Sequence, residues 1–414
     1  MSPHPTDGSR SPRSKHAYPL KLPMPQALTH KADVKHHEPE SYARLLMLNQ
    51  CYEAMPSSSK MVVFDTKLNL GKAFNGLIYQ GTRHVLLSDA ENPGVMTGIL
   101  SVTDFIRVML KLHREKKYNE KMNGGSSETV SENENLGQLT IECYRDLISR
   151  EGKLIPLISI EADKSLLEAA RLLSNHRIHR LPVLDPENGS PLFILTHKRL
   201  LKFLWCFGHQ FSQPDYHVKT AKKLCVGTWV GIRVVYPDTL LSDCLDILLN
   251  KGVSGLPVVE RNTFKVLDMY SRFDAIGIAL ADGPNSLDFP VSEAIKFKNA
   301  LHNSKNEDRV VSVLETDTLW KAITVLVEKN VHRLCAVNER GEIAGIISLS
   351  DVLNHMVVAP GVSLNPQKPM RRHYSHKQGG DLSDSDLRSL LCESANLLEE
   401  EAYSGRNGSP QAMR

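Results

Sequence analysis

Ile178-His179-Arg180-Leu181-Pro182-Val183 is a stretch whose close variants recur at three other places in the chain. The variants are Thr82-Arg83-His84-Val85-Leu86-Leu87, Val253-Ser254-Gly255-Leu256-Pro257-Val258 and Val331-His332-Arg333-Leu334-Cys335-Ala336. Each stretch is short and mostly apolar, as expected for a strand that follows a helix and contributes to a core. Recurrence of one pattern along a chain is typical of a repeat architecture. The sequence therefore predicts four copies of one structural unit.

A helical pattern precedes each of these strands. Its apolar residues follow the i, i+3, i+4, i+7 spacing of a helix with one buried face. The predicted helices are Asp65–Ile78, Asp163–Asn175, Asp238–Asn250 and Asp317–Asn330. A polar turn and a second strand follow, and each second strand ends in a corner that opens another apolar helix. The aligned corner residues are Asp104, Arg199, Asp274 and Asp351.

A single unit of this size is marginally stable, and pairing units would bury the apolar face of each sheet. We therefore expect an α/β fold of four tandem βαββα repeats paired into two modules, one from the first two repeats and one from the last two. The predicted division is a disordered tail at 1–40, repeat 1 at 41–113, a polar linker at 114–138, repeat 2 at 139–211, repeat 3 at 224–283, repeat 4 at 309–358 and a mostly disordered tail at 361–414. Leucines between Leu387 and Leu398 predict a short amphipathic helix in the last tail.

Composition argues against several classes of protein. The chain has 414 residues, of which 41% are hydrophobic and 23% are charged, and its formal net charge is +3. These values are ordinary for a globular protein, and the charge is too small to indicate a nucleic-acid partner. No apolar run reaches the roughly 18–20 residues of a membrane helix. The seven cysteines form no C-x-x-C pair, which favours reduced thiols in a cytoplasmic protein.

The strand-to-helix corners are the sharpest candidates for function. A Ser or Thr followed by Asp just before a helix is an ordinary N-cap, which accounts for Asp104, Asp274 and Asp351 taken singly. The same corner also places a carboxylate at the mouth of a cleft between paired units, where it can accept from the two hydroxyls of a ribose. The sequence leaves both interpretations open. Arg199 has no acceptor, so the second corner should not hold a nucleoside in this way.

Basic residues recur in register at the start of the first strands, opposite these corners. They are Arg83, His179, Arg180, His332 and Arg333, and Lys198 lies at the second corner. A lone cation at such a place is usually a solvated strand end. Recurrence in three of four repeats instead favours a site for phosphate and ribose. We find no P-loop, kinase loop set, metal-ligand spacing or nucleophile elbow, so the pattern predicts binding without catalysis.

The resemblance to a known family is carried by the repeated strands and by the segments around them. These segments are Cys51-Tyr52, Ser58-Ser59-Lys60, Val62-Val63-Phe64-Asp65-Thr66, Thr103-Asp104-Phe105, Thr196-His197-Lys198-Arg199, Tyr270-Ser271-Arg272-Phe273-Asp274 and Ser348-Leu349-Ser350-Asp351. Over residues 42–358 the repeats resemble cystathionine-β-synthase-type (CBS) domains, which pair into adenine-nucleotide-binding Bateman modules. The whole set is similar to the γ regulatory subunits of AMP-activated protein kinase.

This resemblance implies a non-catalytic regulatory subunit whose two modules form a disc. It implies competitive binding of AMP, ADP and ATP, no catalytic cofactor and no metal. The implied partners are a catalytic kinase α subunit and a scaffold β subunit, with no nucleic acid and no membrane. The implied location is the cytoplasm, with the nucleus as a second compartment.

The resemblance also implies roles for individual residues. Asp104, Asp274 and Asp351 would each hold a ribose, and the corner with Arg199 would stay empty. The phosphates would be shared by Arg83, His179, Arg180, Lys198, His332 and Arg333. The remaining contacts would come from Ser101, Thr103, Ile158, Thr228, Arg233, Ser254, Gly255, Ser271, Arg272, Ser348, Leu349 and Ser350.

Two residues depart from the pattern of the family. Arg233 stands near one adenine site where relatives usually carry a small residue, and Arg177 replaces a Lys beside the phosphate cluster. Arg233, together with His84 and Leu86 in the first repeat, supports an alternative interpretation, a structural scaffold subunit of the same kinase complex that has lost some nucleotide sites. A third interpretation is the regulatory part of a metabolic enzyme or channel. The sequence shows no barrel, cofactor motif or membrane segment for such a part to regulate.

Overall fold

The computed structural model describes residues 41–59, 61–92, 94–122, 139–208, 214–275, 287–302 and 310–363. The predicted N-terminal tail, most of the predicted linker and the helix predicted around Leu387–Leu398 lie outside these residues. Over the described residues the chain is α/β and consists of four copies of one unit, as the sequence predicts.

Each repeat pairs two antiparallel strands, and three of the repeats add a short parallel strand. The strands are β1 Val63–Asp65, β2 His84–Ser88, β3 Met96–Ser101, β4 Ile160–Glu161, β5 Arg180–Leu184, β6 Pro191–Thr196, β7 Gly255–Val259, β8 Val266–Ser271, β9 Ser312–Leu314, β10 Arg333–Val337 and β11 Ile343–Ser348. In the third repeat, a single bridge between Val235 and Val258 replaces the parallel strand. The described sheets thus repeat one topology.

The four antiparallel pairs also share one register. The first residue of each first strand faces the last residue of the second strand, in the pairs His84–Ser101, Arg180–Thr196, Gly255–Ser271 and Arg333–Ser348. Each pair has its irregularity at the same place, one residue before the first strand ends. Because the register is identical, residues at equivalent positions of different repeats can be compared directly.

The helices are α1 Ser41–Leu48, α2 Leu70–Tyr79, α3 Val102–Met122, α4 Ile141–Arg150, α5 Leu166–Asn175, α6 His197–Phe207, α7 Pro214–Val218, α8 Leu241–Asn250, α9 Val291–His302, α10 Leu319–Glu328 and α11 Leu349–Leu353. Shorter helical turns cover Cys51–Ala54, Arg272–Asp274, Asn354–Val358 and Pro360–Ser363. In the part of the chain that the structure describes, no helix combines the length and the apolar character needed to cross a membrane.

The helices α2, α5, α8 and α10 begin a few residues later than the sequence predicted. The acids taken as helix starts lie before the helices instead: Asp163, Asp238 and Asp317 lie in turns or bends, and Asp65 ends β1, where its Oδ1 accepts from Lys67 N at 2.7 Å. The caps of three of these helices are Asn69, Ser165 and Thr318, whose side chains accept backbone N–H groups of the first helical turn.

The helix α3 continues into the segment predicted to be a linker from residue 114. Residues 114–122 contain neither Gly nor Pro and are rich in Lys and Glu, which favour helix. Ion pairs from Arg114 to Asp246 and from Lys117 to Asp288 then attach this extension to the third repeat. The chain therefore leaves the helical conformation later than the polar composition suggested.

Each repeat is covered by a helix that comes from the segment preceding the other repeat of the same pair. The helix α4 lies against the first repeat, where Ile141 N donates to Leu68 O at 2.9 Å, and α1 packs on α5 of the second repeat. The second half repeats this exchange. There the segment just before α9 is bonded to the third repeat, since Leu241 N donates to Phe289 O at 3.0 Å. The helix α7 packs on α10 of the fourth repeat. The predicted boundaries at 41–113 and 139–211 follow chain order and miss this exchange.

The apolar cores join the repeats in the other direction. One buried cluster contains α5, α6, α10 and α11 and so unites the second and fourth repeats. Another joins Ile106 and Met109 of α3 to Leu245 and Leu248 of α8, which unites the first and third repeats. Exchanged segments link repeats 1 and 2 and repeats 3 and 4. Together these contacts close a ring of four repeats.

Candidate functional site

Seven basic side chains from all four repeats form what we call the basic centre. They are Arg83, His179, Arg180, Lys198, Arg272, His332 and Arg333. Arg83 of the first repeat donates through Nη1 to His332 Nε2 of the fourth at 2.9 Å, and its guanidinium lies 4.4 Å from the ring centroid of Phe273 in the third. Because a guanidinium can only donate, Nε2 is the unprotonated nitrogen of His332. Six of these residues are those predicted to share the phosphates.

Burial and mutual repulsion keep the histidines of the basic centre neutral. The pKa of His332 is lowered to about 3, first by burial and then by Arg83 and Lys198. The pKa of His179 is lowered to about 4, first by burial and then by His197 and Arg180. Both residues nevertheless keep exposed surface.

Burial and repulsion also disfavour the charged form of two arginines in the basic centre. Burial and the repulsion from Arg83 lower the pKa of Arg180 to about 10. The pKa of Arg333 is lowered to about 10 by burial and by Arg272, against an opposing effect of Asp274. A bound anion would relieve this excess of positive charge, and phosphate suits the planar forks of arginine.

The placement of Arg333 depends on a glycine in the neighbouring repeat. Arg333 donates to Ser254 Oγ, and a Cβ on Gly255 would clash with Arg333 Nη1. The absence of a side chain at Gly255 therefore admits the guanidinium into the third repeat. His84 takes the equivalent position in the first repeat, next to Arg180 of the second.

The corners of the third and fourth repeats are closed by capping boxes. Ser271 N and Oγ donate to Asp274 Oδ2 at 2.7 and 2.8 Å. Ser348 N and Oγ donate to Asp351 Oδ2 at 2.9 and 2.6 Å, and Ser350 Oγ lies 2.9 Å from Ser348 Oγ. In the fourth corner the cap engages Oδ2 of Asp351, so the N-cap role there does not conflict with a ligand on Oδ1.

The corner of the first repeat differs. Ser101 N and Oγ donate to Asp104 Oδ2, each at 3.0 Å, as in the other corners. Oδ1, however, accepts from Arg107 Nη1 at 3.1 Å and from the Tyr144 hydroxyl at 3.2 Å. That Asp104 holds a ribose stays a prediction, and the structure places protein donors on both of its oxygens.

The second corner carries no carboxylate. Arg199 Nη1 donates to Ala54 O at 3.2 Å, and Arg199 N donates to Thr196 Oγ1 at 3.3 Å at the start of α6. The side chain thus binds the segment that precedes β1, and the neighbouring Lys198 acts electrostatically on His332.

Other predicted site residues differ in their contacts and in their burial. Arg272 Nη1 donates to Thr103 Oγ1 at 3.2 Å, which ties the third repeat to the first. Thr228 is exposed and its backbone pairs with Ile346, while Ile158 is half-buried and Leu349 is buried. The side chain of Arg233 is exposed, and so is that of Arg177, which follows α5.

Among the residues that contact predicted site residues, four were not predicted as site residues: Phe273, described above beside Arg83, and His197, Arg107 and Tyr144. The ring of His197 lies 5.7 Å from that of His179. Arg107 and Tyr144 contact Asp104, as described above. The spacing of Arg107, one helical turn after Asp104, was a usable signal. Tyr144 had none, because it reaches the corner only through the segment exchange. Within the described ranges, no group of three or more His, Cys, Asp or Glu side chains is arranged to hold a metal ion.

Four repeats of this topology, with their cations gathered in one centre, define the class of protein. The family model of the CBS domain matches residues 145–205, 230–280 and 307–358. These ranges fall on the second, third and fourth repeats, and the first repeat has the same strand topology.

Comparison with known proteins narrows this class. The chain is 38% identical over 319 residues to the γ-3 subunit of 5'-AMP-activated protein kinase of Sus scrofa, which is 77% of this chain and 58% of that protein. Against the γ-3 subunit of Homo sapiens it is 38% identical over 319 residues, 77% of this chain and 61% of that protein. The matched segments therefore belong to the CBS-domain family, and the chain is similar over 77% of its length to γ subunits of this kinase. It spans about three fifths of the length of these curated relatives.

A solved structure agrees with the fold. A Methanocaldococcus jannaschii protein described as an archaeal homologue of γ-AMPK superposes with a TM-score of 0.54 at 16% identity. The match covers 74% of this chain and 100% of that protein. At this identity the likeness supports the four-repeat fold alone.

Proposed function

We propose that this chain is a non-catalytic regulatory subunit that senses adenine nucleotides for a kinase of the AMP-activated type. AMP, ADP and ATP compete for its clefts. Their ribose hydroxyls donate to corner carboxylates, and their phosphates bind the basic centre.

The observation that carries this proposal is the basic centre itself. Cations from all four repeats converge there, and the side chains that shift their pKa values are basic ones, apart from Asp274 and Cys335 acting on Arg333. Such a convergence costs folding free energy unless an anion occupies it. Corner carboxylates beside the centre supply the acceptors that a nucleoside needs and a simple anion does not.

Competition among nucleotides follows from the shared centre. Each additional phosphate must fit among the same cations, so ATP and AMP leave the centre with different charge and different side-chain positions. A kinase subunit that prefers one of these states is then shifted toward its active or protected form. Coupling of this kind is typically about 1–3 kcal/mol and is reciprocal between the two sites.

Calorimetric titration of the full chain with AMP, ADP and ATP tests the binding. We expect each nucleotide to bind and ATP to be displaced by AMP. Asp351→Ala should lower the number of bound nucleotides by about one, and Ser292→Ala, on α9 of the third repeat, serves as the control. Absence of binding to the wild type contradicts the proposal.

The proposed partners are a catalytic α subunit and a scaffold β subunit. Co-expression and affinity purification test this assembly, and we expect one complex that contains all three chains. Kinase activity of the purified complex should then depend on the ratio of AMP to ATP. Activity indifferent to nucleotide, with assembly intact, would instead favour a scaffold subunit. We further propose that the chain works in the cytoplasm with the nucleus as a second compartment, which imaging of a fluorescent fusion tests.

A further inference from the structure

In the first-repeat corner, side chains of the protein donate to Oδ1 of the aspartate. In the fourth-repeat corner, the equivalent oxygen has no protein donor among the described residues. In both corners the serine at the strand end places two donors on Oδ2 of the aspartate. A ribose bound to either corner must therefore use Oδ1. In the first corner Arg107 and Tyr144 already occupy the two lone-pair positions of that atom.

Arg107 and Tyr144 are held firmly in these positions. The side chains of Asp104 and Arg107 are only 15% and 26% exposed, so their ion pair is largely removed from water. Tyr144 is 4% exposed and belongs to the apolar core of the first repeat. A ribose that displaced these donors would leave a half-buried guanidinium and a buried hydroxyl without their acceptor, which is unfavourable.

The chemistry of Tyr144 keeps it a donor. Burial, followed by the charge of Asp104, raises the pKa of its hydroxyl far above the usual value. The phenol therefore stays protonated over the whole range in which proteins are folded and cannot leave the corner by ionising.

The fourth repeat has the same corner without donors equivalent to Arg107 and Tyr144. The position equivalent to Arg107 is Asn354, whose side chain is exposed. Among the described residues, the recorded donors to the Asp351 carboxylate are Ser348 N and Ser348 Oγ, both on Oδ2. The difference between the two corners thus rests on one residue of α3 and one residue that α4 brings across from the second half of the module.

We propose that Arg107 and Tyr144 are specificity-determining residues that close the first-repeat corner to a nucleotide ribose, leaving the Asp274 and Asp351 corners to bind nucleotides. This inference rests on the proposed function, since it assigns the number of nucleotide sites in a nucleotide-binding chain. It differs from what the family resemblance implies, because the Asp104 corner is not a ribose site here. Phosphates bound at the other corners still reach Arg83 in the basic centre.

The test is the number of AMP molecules bound per full chain, measured by equilibrium dialysis with saturating AMP. We expect about two for the wild type. Asp104→Asn should leave that number unchanged, whereas the matched variant Asp351→Asn should lower it by one. The double variant Arg107→Asn, Tyr144→Phe gives the first corner the residue found at Asn354 and removes the phenol donor, and it should bind one AMP more than the wild type.

The outcomes separate this inference from the proposed function. Loss of one AMP in Asp104→Asn overturns the inference and leaves the proposed function intact. An unchanged number in the double variant, with a native circular dichroism spectrum, also overturns it. No AMP bound to the wild type or to any variant overturns both.

Discussion

One residue in each repeat has left-handed backbone just after the helix that leads to the first strand. These residues are Gly81, Arg177, Gly252 and Asn330, with φ of 60°, 51°, 65° and 56°. Gly and Asn are the residues that adopt this conformation most easily, because other side chains crowd the backbone there. Arg177 is the exception. Its long side chain is exposed, so the second repeat carries the cost of this backbone conformation.

Replacing Arg177 with Gly should therefore stabilise the protein. We expect the free energy of unfolding to rise by about 0.5–1 kcal/mol, since relief of left-handed strain exceeds the added freedom of Gly in the unfolded chain. Urea denaturation at neutral pH measures the change. Gly252→Arg is the matched reverse substitution and should destabilise by a similar amount. Equal midpoints for Arg177→Gly and the wild type would show that this position is not strained.

His84 makes stability depend on pH. Its Nδ1 is buried and has no hydrogen-bond partner among the described residues. Its pKa is lowered to about 3, first by burial and then by Arg180 of β5 and by Arg83, the residue that precedes β2. The unfolded chain, in which a histidine has its ordinary pKa of about 6.5, binds more protons than the folded chain between these values. Stability should therefore fall as the pH is lowered from 7 to 5.

The size of this effect is testable. A single histidine shifted as far as His84 contributes at most about 2 kcal/mol over that interval. Urea midpoints at pH 7, 6 and 5 should fall less steeply for His84→Asn than for the wild type. The same pH dependence in both proteins would mean that the pKa of His84 does not differ between the folded and unfolded states.

At the level of secondary-structure elements, the segment before the third repeat crosses between two repeats. Thr228 pairs with Ile346 at the edge of β11, and Val235 then pairs with Val258 of β7. Two glycines in this segment have positive φ, Gly227 at 107° and Gly231 at 66°. A Cβ on Gly227 would lie 2.6 Å from Ile346 O, whereas one on Gly231 would meet nothing within 4 Å.

These two glycines predict different costs for one substitution. Gly227→Ala should destabilise the protein by about 2–3 kcal/mol, because backbone strain adds to a clash with a carbonyl that cannot move aside. Gly231→Ala carries the backbone strain alone and should cost about 1 kcal/mol. Thermal unfolding of both variants makes the comparison. Similar losses would show that the edge of β11 adapts to the added methyl group.

The elements that sequence predicted well are those with a local cause. Helical spacing located α2, α5, α8 and α10, and alternation with turns located the paired strands. The starts of the helices were misplaced because an acid in a turn and an acid at a cap look alike in sequence. The segment exchange was missed because α4 carries an apolar face whose partner, the first repeat, is set by tertiary packing.

The candidate site divides in the same way. Recurrent register at Arg180 and Arg333 predicted a phosphate site, and the family resemblance implied that they share one centre, where the structure places both. The hydrogen bonds from Arg107 and Tyr144 to Asp104 were not predicted, since only Arg107 is close to Asp104 in sequence. The N-cap and ligand interpretations of the corners, which sequence left as alternatives, engage different oxygens of Asp351.

For the whole molecule, the ring of repeats concentrates charge. Arg180 and Arg333 face the same centre from opposite modules, and each has its pKa lowered by burial and by another arginine. Folding without an anion therefore works against this repulsion. A multivalent anion should stabilise the ring as a whole and not one repeat.

Anions should therefore raise the melting temperature in proportion to the charge of the centre. Replacing chloride with sulfate at equal ionic strength should raise the Tm by about 2–4 °C for each kcal/mol of binding. Arg180→Gln should raise the Tm in chloride and reduce the gain from sulfate. Lys219→Gln, a substitution in an exposed ion pair with Asp215, is the control and should change neither. An undiminished gain in Arg180→Gln would place the anion elsewhere.

The exchange of covering segments has a consequence for how such a chain can grow. A single repeat copied on its own would arrive without the helix that covers it and with a helix that has nothing to cover. The smallest unit that keeps each repeat covered by its exchanged helix is a pair of repeats. Such a pair still presents bare helix faces, so a half-length ancestor would have been stable as a dimer of two identical pairs. The ring of four would then be that dimer joined into one chain, after which its two halves were free to differ, as His84 and Gly255 now do.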